Sequence, residues 1–193
     1  GKTSFIRTLV TALVSTHSPA ELHVYVLDLG GRNFRNLEDL PHVGAVIYSD
    51  EEAYEERLQR LLDKLGRMVD ERQNLFSSAD ASNLYEYNER HPQEPVPAVL
   101  VAIDNIAELR ENYETLLENT VMPLIRRSLN EGIDFVVTGN APKSMHSKLY
   151  NLFGERITFK QSNPDRYMDI VGRGAIEIDD IAGRGYIRVG RRP

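Results

Sequence analysis

The heptapeptide Ala98-Val99-Leu100-Val101-Ala102-Ile103-Asp104 is apolar until its last residue, which is a carboxylate. An apolar run without polar alternation is typical of a strand that is buried on both faces of a parallel sheet. A similar run over Leu22–Asp28 leads directly into Gly30-Gly31, and further apolar runs cover residues 45–48 and 133–138. These four segments predict a sheet of mainly parallel strands.

Helical patterns separate the predicted strands. Apolar residues recur at helical spacing directly after Gly1-Lys2-Thr3, so a helix is expected to begin at or just after this tripeptide. A stripe of leucines in a highly charged segment predicts a long surface helix over residues 50–76, with Asp50 as its cap. A third helix is expected over residues 113–130, with Gly132 as its stop. Strands that alternate with helices predict an α/β fold in which helices cover the sheet.

The remaining segments are shorter and richer in glycine and proline. Residues 77–97 are polar and contain three prolines near their end, which predicts a loop with one helical turn around residues 84–87. Further helices are expected over residues 143–152 and 164–171, and further strands over residues 156–159, 175–178 and 186–189.

The composition limits the classes of function. The 193 residues, 41% of them hydrophobic, are enough for one sizeable core, so residues 1–193 are expected to form a single domain. The sequence contains no cysteine, which excludes disulfide scaffolds, thiolate catalysis and cysteine-based zinc sites. A net charge of -6 weighs against a broad DNA-backbone footprint. No apolar run approaches the roughly 20 residues that span a bilayer, so the segment is expected to be soluble and intracellular, with any membrane anchor elsewhere in a longer chain.

The tripeptide Gly1-Lys2-Thr3 matches the last three positions of the phosphate-loop motif G-x-x-x-x-G-K-[ST]. In that loop backbone N–H groups cradle the phosphates, the lysine reaches the β and γ oxygens, and the hydroxyl helps to hold Mg²⁺. Gly1 and Lys2 are therefore candidates for ATP binding and Thr3 for ATP and Mg²⁺ binding, while the alternative is an ordinary surface turn. The first half of the loop and the strand before it are expected to be missing from residues 1–193.

Asp104 ends the apolar run, where the aspartate of a Walker B strand would complete the Mg²⁺ shell. The alternative is that Asp104 only caps the following helix. Asn105 occupies the place where many motor ATPases have a glutamate that polarises the attacking water. An asparagine orients water but does not accept a proton at neutral pH, so whether ATP is hydrolysed stays open.

Other strand ends offer further candidates. Asn140 follows the apolar run over residues 133–138, where a sensor of the γ-phosphate would lie, although Gly139-Asn140 is also an ordinary turn signal. Residues 28–31 either line the nucleotide crevice or a central pore, or simply form a turn. Arg126 and Arg127 are candidates for an arginine finger, with a solvated surface role as the alternative.

Several stretches resemble the FtsK/SpoIIIE superfamily, and in particular the EccC/EssC-type coupling ATPases of type VII secretion. They include residues 23–31, residues 70–76, Asp104-Asn105 and residues 153–157, and the most specific is Pro41-His42-Val43-Gly44-Ala45-Val46. The resemblance covers nearly the whole chain. It implies a RecA-like P-loop NTPase fold and one FtsK/SpoIIIE-type ATPase domain over residues 1–193.

The same resemblance implies the function and the partners. It implies a cytoplasmic module of a membrane-anchored motor that couples ATP to protein export, with other ATPase modules on the same chain, ring neighbours in a hexamer and secreted proteins as substrates. Lys2 and Thr3 would contact the phosphates and Mg²⁺, Asp104 would complete the metal shell, and Asn140 would be the sensor. Two rivals remain, namely a double-stranded DNA translocase and a non-catalytic docking platform that only binds nucleotide.

Overall fold

The computed structural model of the protein describes residues 1–141, 145, 147–172 and 174–189. The strands are β1 (Leu22–Asp28), β2 (Val43–Tyr48), β3 (Ala98–Asp104), β4 (Ile133–Val137), β5 (Arg156–Phe159) and β6 (Gly185–Arg188). The helices are α1 (Lys2–Thr16), α2 (Tyr54–Ser78), α3 (Leu84–Arg90), α4 (Ile106–Asn112), α5 (Glu114–Leu116), α6 (Met122–Arg127), α7 (Ser147–Tyr150) and α8 (Asp165–Val171). A 3₁₀ turn lies at Arg35–Leu37, and a π-helical segment at Leu117–Val121 joins α5 to α6.

The central sheet has the strand order β2-β1-β3-β4, and all of its neighbouring strands are parallel. The bounds predicted for β1 and β3 are those observed, and both strands are almost entirely buried. The prediction of a parallel sheet flanked by helices is therefore confirmed.

Alternate residues of each strand face the two helical layers. Val24 and Val26 of β1 pack on one face with Ile6 and Val10 of α1. Residues of odd number in β1 and β3 pack on the opposite face, where α2, α4 and α6 supply most of the apolar side chains. The sheet is thus the middle of three layers, and in the described part of the chain α1 is the long helix that covers its first face.

The Pro41–Val46 stretch, which is the most specific part of the resemblance, lies at the start of β2. Val43 and Ala45 pair with Val24 and Tyr25, so Gly44 is the extra residue of a bulge. A Cβ atom on Gly44 would lie 2.5 Å from Cε1 of Tyr25, and only glycine leaves room for that ring. The stretch therefore determines how β2 packs on β1, at the end of the sheet where α1 finishes.

The C-terminal part forms a separate two-stranded antiparallel sheet of β5 and β6. The predicted strand over residues 175–178 is wrong, because these residues form no strand and Ile176 is largely exposed. Gly172 and Gly174, both with positive φ, precede this segment and turn the chain away from an extended path.

Three helix predictions need correction. The long helix begins at Tyr54 after Ala53, and Asp50 does not cap it but pairs with Arg32 at 2.9 Å. The helix expected over residues 113–130 is observed over 114–127 as α5, the π-helical segment and α6, and the separate helix α4 precedes it. The loop before β3 contains the two turns of α3 rather than one. Residues 143 and 144, where a further helix was expected to begin, lie outside the described residues, and α7 covers four residues of that segment.

Candidate functional site

The carboxyl ends of the central strands bring polar side chains into one row. Asp28 at the end of β1 is the register partner of Asp104 at the end of β3, and of Tyr48 at the end of β2. Thr138 follows β4 directly and lies beside Asp104. Ligand crevices of parallel α/β sheets lie outside the carboxyl ends of the strands, so this row is the candidate site.

Helix α1 contributes the end of the phosphate-loop motif to the same row. The helix begins at Lys2, with Gly1 as its cap residue, so the free backbone N–H groups of its first turn lie at the carboxyl edge of the sheet. The Thr3 hydroxyl donates a hydrogen bond of 2.7 Å to Oδ2 of Asp104. Gly1 and Lys2 are exposed. The structure therefore brings Thr3 and Asp104 together, with Lys2 beside them in sequence.

The second oxygen of Asp104 accepts a hydrogen bond from the Thr138 hydroxyl. Asp104 is only 4% exposed, so these two hydroxyls fix the orientation of its carboxylate. Asn140, the predicted sensor, lies two residues further along and is exposed, and among the described residues the side-chain partners of Asp104 are Thr3 and Thr138. Sequence reasoning gave Thr138 no role in the site, although its place as the polar last residue of the run over residues 133–138 was a usable signal.

Asn105 has a structural role next to the site. Its side-chain Oδ1 accepts a hydrogen bond of 3.2 Å from the backbone N–H of Ala107, so Asn105 is the N-cap of α4. The helix-cap alternative considered for Asp104 thus applies one residue later. The peptide bond between Asp104 and Asn105 is cis.

Asp28 is a completely buried carboxyl group, with an exposed fraction of 0%. Its Oδ2 accepts hydrogen bonds from the backbone N–H groups of Asn33 and Phe34. Its Oδ1 has no hydrogen-bond partner among the described residues. Burial raises the pKa of Asp28, and the backbone N–H groups of Asn33, Phe34 and Gly30, together with the Asn33 side chain, oppose part of that rise.

The arginine-finger candidates lie away from this row. Arg126 and Arg127 are exposed near the end of α6, and Arg127 forms an ion pair with Asp70 of α2. A role of either arginine as a finger towards a neighbouring subunit stays a prediction. In the loop after β1, Arg32 pairs with Asp50, and its guanidinium lies 5.2 Å from the centre of the Tyr48 ring.

The donor atoms of the site suit Mg²⁺. The Thr3 hydroxyl and the Asp104 carboxylate are hard oxygen ligands of the kind that Mg²⁺ prefers. The described residues contain no group of three or more His, Cys, Asp or Glu side chains that could enclose a metal. Mg²⁺ is commonly held by one or two protein oxygens together with phosphates and water, so this sparse donor set fits the ion.

An aromatic contact forms one wall beside Gly1. The rings of Phe5 and Phe159 lie 5.9 Å apart, and a Cβ atom on Gly1 would lie 4.0 Å from Phe159. The sequence placed Phe159 only in a strand and gave no sign that β5 packs next to α1.

Within the described ranges, no helix is both long enough and apolar enough to cross a membrane.

Comparison with known proteins places these features in context. The FtsK/SpoIIIE family model matches residues 1–184. The ESX secretion system protein EccC of Thermomonospora curvata is 28% identical, and the match covers 98% of this chain but 14% of EccC. The chain therefore spans about a seventh of the length of that relative.

Solved structures of secretion ATPases share the fold. The structure titled Thermomonospora curvata EccC (ATPases 2 and 3) in complex with a signal sequence peptide has a TM-score of 0.84 and 29% identity, over 98% of this chain and 34% of that one. EssC (ATPases 2 and 3) from Geobacillus thermodenitrificans has a TM-score of 0.86 at 23% identity, over 97% of this chain and 35% of that one. The second likeness concerns the fold alone.

Proposed function

The chain belongs to the FtsK/SpoIIIE family, and we propose that residues 1–193 form one ATP-binding module of a motor that drives protein export by a type VII secretion system. The observation that carries the proposal is the hydrogen bond between Thr3 and Asp104, residues that are 101 positions apart in sequence. It joins the end of a phosphate loop to a strand-end aspartate, as a nucleotide site with Mg²⁺ requires.

Each residue then has a distinct task. Lys2 neutralises phosphate charge, and the N–H groups at the start of α1 donate to phosphate oxygens. Thr3 and Asp104 hold Mg²⁺, which when bound would neutralise charge on the β- and γ-phosphates. Thr138 keeps the Asp104 carboxylate in the orientation that this task needs. Asn140, exposed two residues after Thr138, is the proposed sensor of the γ-phosphate.

The export role rests on the likeness to EccC and EssC. A solved EccC structure contains a signal sequence peptide, which supports secreted proteins as the substrates of this motor. Tandem ATPase modules on one chain, a hexameric ring, a cytoplasmic location and a membrane anchor outside residues 1–193 are parts of the same proposal. The net charge of -6 weighs against the DNA-translocase alternative, which duplex binding at low salt would revive.

Asn105 favours a second candidate, a module that binds nucleotide without rapid turnover. Its Oδ1 is engaged as a helix cap, and an amide does not take the proton of an attacking water. We expect Asn105→Glu to raise ATP turnover if the rest of the site is competent. Brisk hydrolysis by the unaltered protein that depends on Lys2 would rule out the non-catalytic role.

The nucleotide site is best tested by counting bound nucleotide in the full-length protein, because other modules of the same chain could bind ATP too. We expect Lys2→Ala and Thr3→Ala each to lower the number of Mg²⁺-ATP molecules bound per chain by one. Lys64→Ala is the matched control and should leave that number unchanged, because Lys64 is exposed on α2 with its ammonium 5.0 Å from the centre of the Tyr25 ring. An unchanged number in the Lys2→Ala protein would refute the proposed site.

A further inference from the structure

The free oxygen of Asp28 is the feature of the site that the proposed function leaves unexplained. Buried carboxylate oxygens almost always have a hydrogen-bond partner, and an exception calls for a ligand, an ion or a water. Asp28 is 0% exposed, and its Oδ1 has no partner among the described residues.

The position of Asp28 limits what could reach that oxygen. Asp28 and Asp104 are register partners in parallel neighbours, so their side chains leave the sheet on the same face. This is the face of α1, because Val26, two residues before Asp28, packs there with Ile6. Thr3 on the first turn of α1 already contacts Asp104 on this face. The Asp28 side chain therefore lies next to Asp104, on the face of the sheet that carries the proposed cation site.

The other oxygen of Asp28 holds the side chain in place. Oδ2 accepts hydrogen bonds from two successive backbone N–H groups, those of Asn33 and Phe34. The Phe34 ring is completely buried in the core cluster that contains Ile6 and Val10 of α1. The carboxyl group is thus held relative to α1 by its own loop, and Oδ1 is left over for another donor.

We propose that Asp28 is an outer-shell residue of the Mg²⁺ site, whose Oδ1 accepts a hydrogen bond from the hydration shell of the cation held by Thr3 and Asp104. The inference rests on the proposed function, because it requires the cation site. Mg²⁺ usually keeps several of its waters when it binds protein and phosphate, and those waters need acceptors. In this role Asp28 would act through the waters of the cation rather than on the nucleotide itself, so it is a positioning residue.

A purely structural role for Asp28 makes a different prediction. Anchoring the loop at Asn33 and Phe34 uses only one oxygen, and an asparagine side chain supplies one. In Asp28→Asn the side-chain oxygen would keep the place of Oδ2, and the NH₂ group would replace Oδ1. A hydrogen-bond donor would then replace the acceptor that faces the hydration shell. This substitution therefore preserves the loop anchor and removes the contact to the hydration shell.

The test uses Mn²⁺ as the cation probe in the full-length protein with a saturating nonhydrolysable ATP analogue, and measures Mn²⁺ affinity by electron paramagnetic resonance. Removing an outer-shell partner typically lowers metal affinity about 10–100-fold, so in Asp28→Asn we expect one Mn²⁺ site per chain to weaken by that factor. Nucleotide binding in EDTA and the thermal midpoint without cation should not fall. Asp39→Asn, an exposed carboxylate in the same loop, is the matched control and should leave every reading unchanged.

The outcomes distinguish a failure of the outer-shell role from a failure of the proposed function. Unchanged Mn²⁺ affinity in Asp28→Asn, with Lys2-dependent nucleotide binding intact, would overturn the outer-shell role and leave the proposed function standing. Absence of any Lys2-dependent nucleotide binding in the unaltered protein would overturn both. If Asp28→Asn does not fold, hydrogen exchange of the unaltered protein decides. Mn²⁺ should then slow exchange at the Asn33 and Phe34 amides, and no slowing would overturn the proposal.

Discussion

Replacement of Arg72 should destabilise the central sheet, although Arg72 belongs to a helix that carries many exposed charges. Its guanidinium donates to the carbonyl of Pro97 at 2.7 Å and to the carbonyls of Glu131 and Gly132 at 2.6 and 3.3 Å. Pro97 precedes β3 and Gly132 precedes β4, so one side chain of α2 joins the starts of two strands. Arg72 is 5% exposed, and burial lowers its pKa to about 10, so it stays charged at neutral pH.

The magnitude follows from the two short hydrogen bonds. A hydrogen bond with a charged donor contributes about 1.5–3 kcal/mol, which sets an upper range of about 3–6 kcal/mol for Arg72→Met. Methionine keeps much of the apolar stem packing and removes a buried charge, so we expect a loss near the lower end, about 3 kcal/mol. In Arg72→Lys a single ammonium group cannot span both strand starts, and we expect a loss of about 1.5–2 kcal/mol.

Urea unfolding gives the free energy, and hydrogen exchange locates the effect. Exchange should speed up at the amide of Val99, which donates to the Gly132 carbonyl that Arg72 also contacts. Arg60→Met on the same helix is the control, because Arg60 is mainly exposed and pairs only with Glu56 among the described residues. Its effect should stay within about 0.5 kcal/mol. An equally small effect of Arg72→Met, or a Lys variant as stable as the unaltered protein, would refute the reasoning.

Three further predictions concern the site and the fold. Thr138→Val should weaken Mg²⁺-ATP binding about tenfold, but not nucleotide binding in EDTA, because Asp104 loses a hydroxyl partner. Gly44→Ala should lower the free energy of unfolding in urea by about 1–3 kcal/mol, because the new methyl group would meet the Tyr25 ring. Adding Tyr25→Leu should restore part of this loss, and additive losses in the double variant would contradict the steric explanation. Burial raises the pKa of Asp28, so at pH 7 the unaltered protein should have a lower free energy of unfolding than Asp28→Asn. The difference in free energy of unfolding should shrink as the pH falls towards about 3.9, the ordinary pKa of aspartate. A difference that does not change with pH would refute this.

The strands were predictable because their signal is local. The apolar runs of β1 and β3 have the length of a buried strand and end in polar residues, so their bounds follow from composition alone. The segment over residues 175–178 shows the limit of this signal. A strand needs a partner, and a short apolar run between positive-φ glycines does not reveal whether one is within reach.

Helix starts were harder, although one signal was present. Asn105 and Glu108 have the spacing of an N-cap residue and the acidic residue that often accompanies it, and α4 begins between them. The capping role of Asn105 is therefore written in the local sequence. For Asp50 the local sequence misleads, because this good capping residue forms an ion pair with Arg32 instead, a contact across 18 residues that no local pattern contains.

The role of Arg72 lies beyond local sequence patterns as well. The helical stripe of α2 predicts which of its leucines face the core, and those leucines are buried. It does not predict that a charged residue near the end of the helix is buried with them, because its partners are backbone carbonyls before two other strands. Every residue has a backbone carbonyl group, so the sequence does not show which carbonyls will accept hydrogen bonds from a distant side chain.

The candidate site contains some residues that the sequence could predict and others that it could not. Thr3 and Asp104 could be paired from sequence because each belongs to a motif whose chemistry demands the other. Thr138 and Asp28 belong to no such motif, and they join the site only because the strands that carry them flank β3 in register. In a parallel sheet, each strand that neighbours the one carrying the metal-site aspartate delivers its own last residue to the same edge. The residues that complete such a site are therefore best sought at the ends of the neighbouring strands, once the strand order is known.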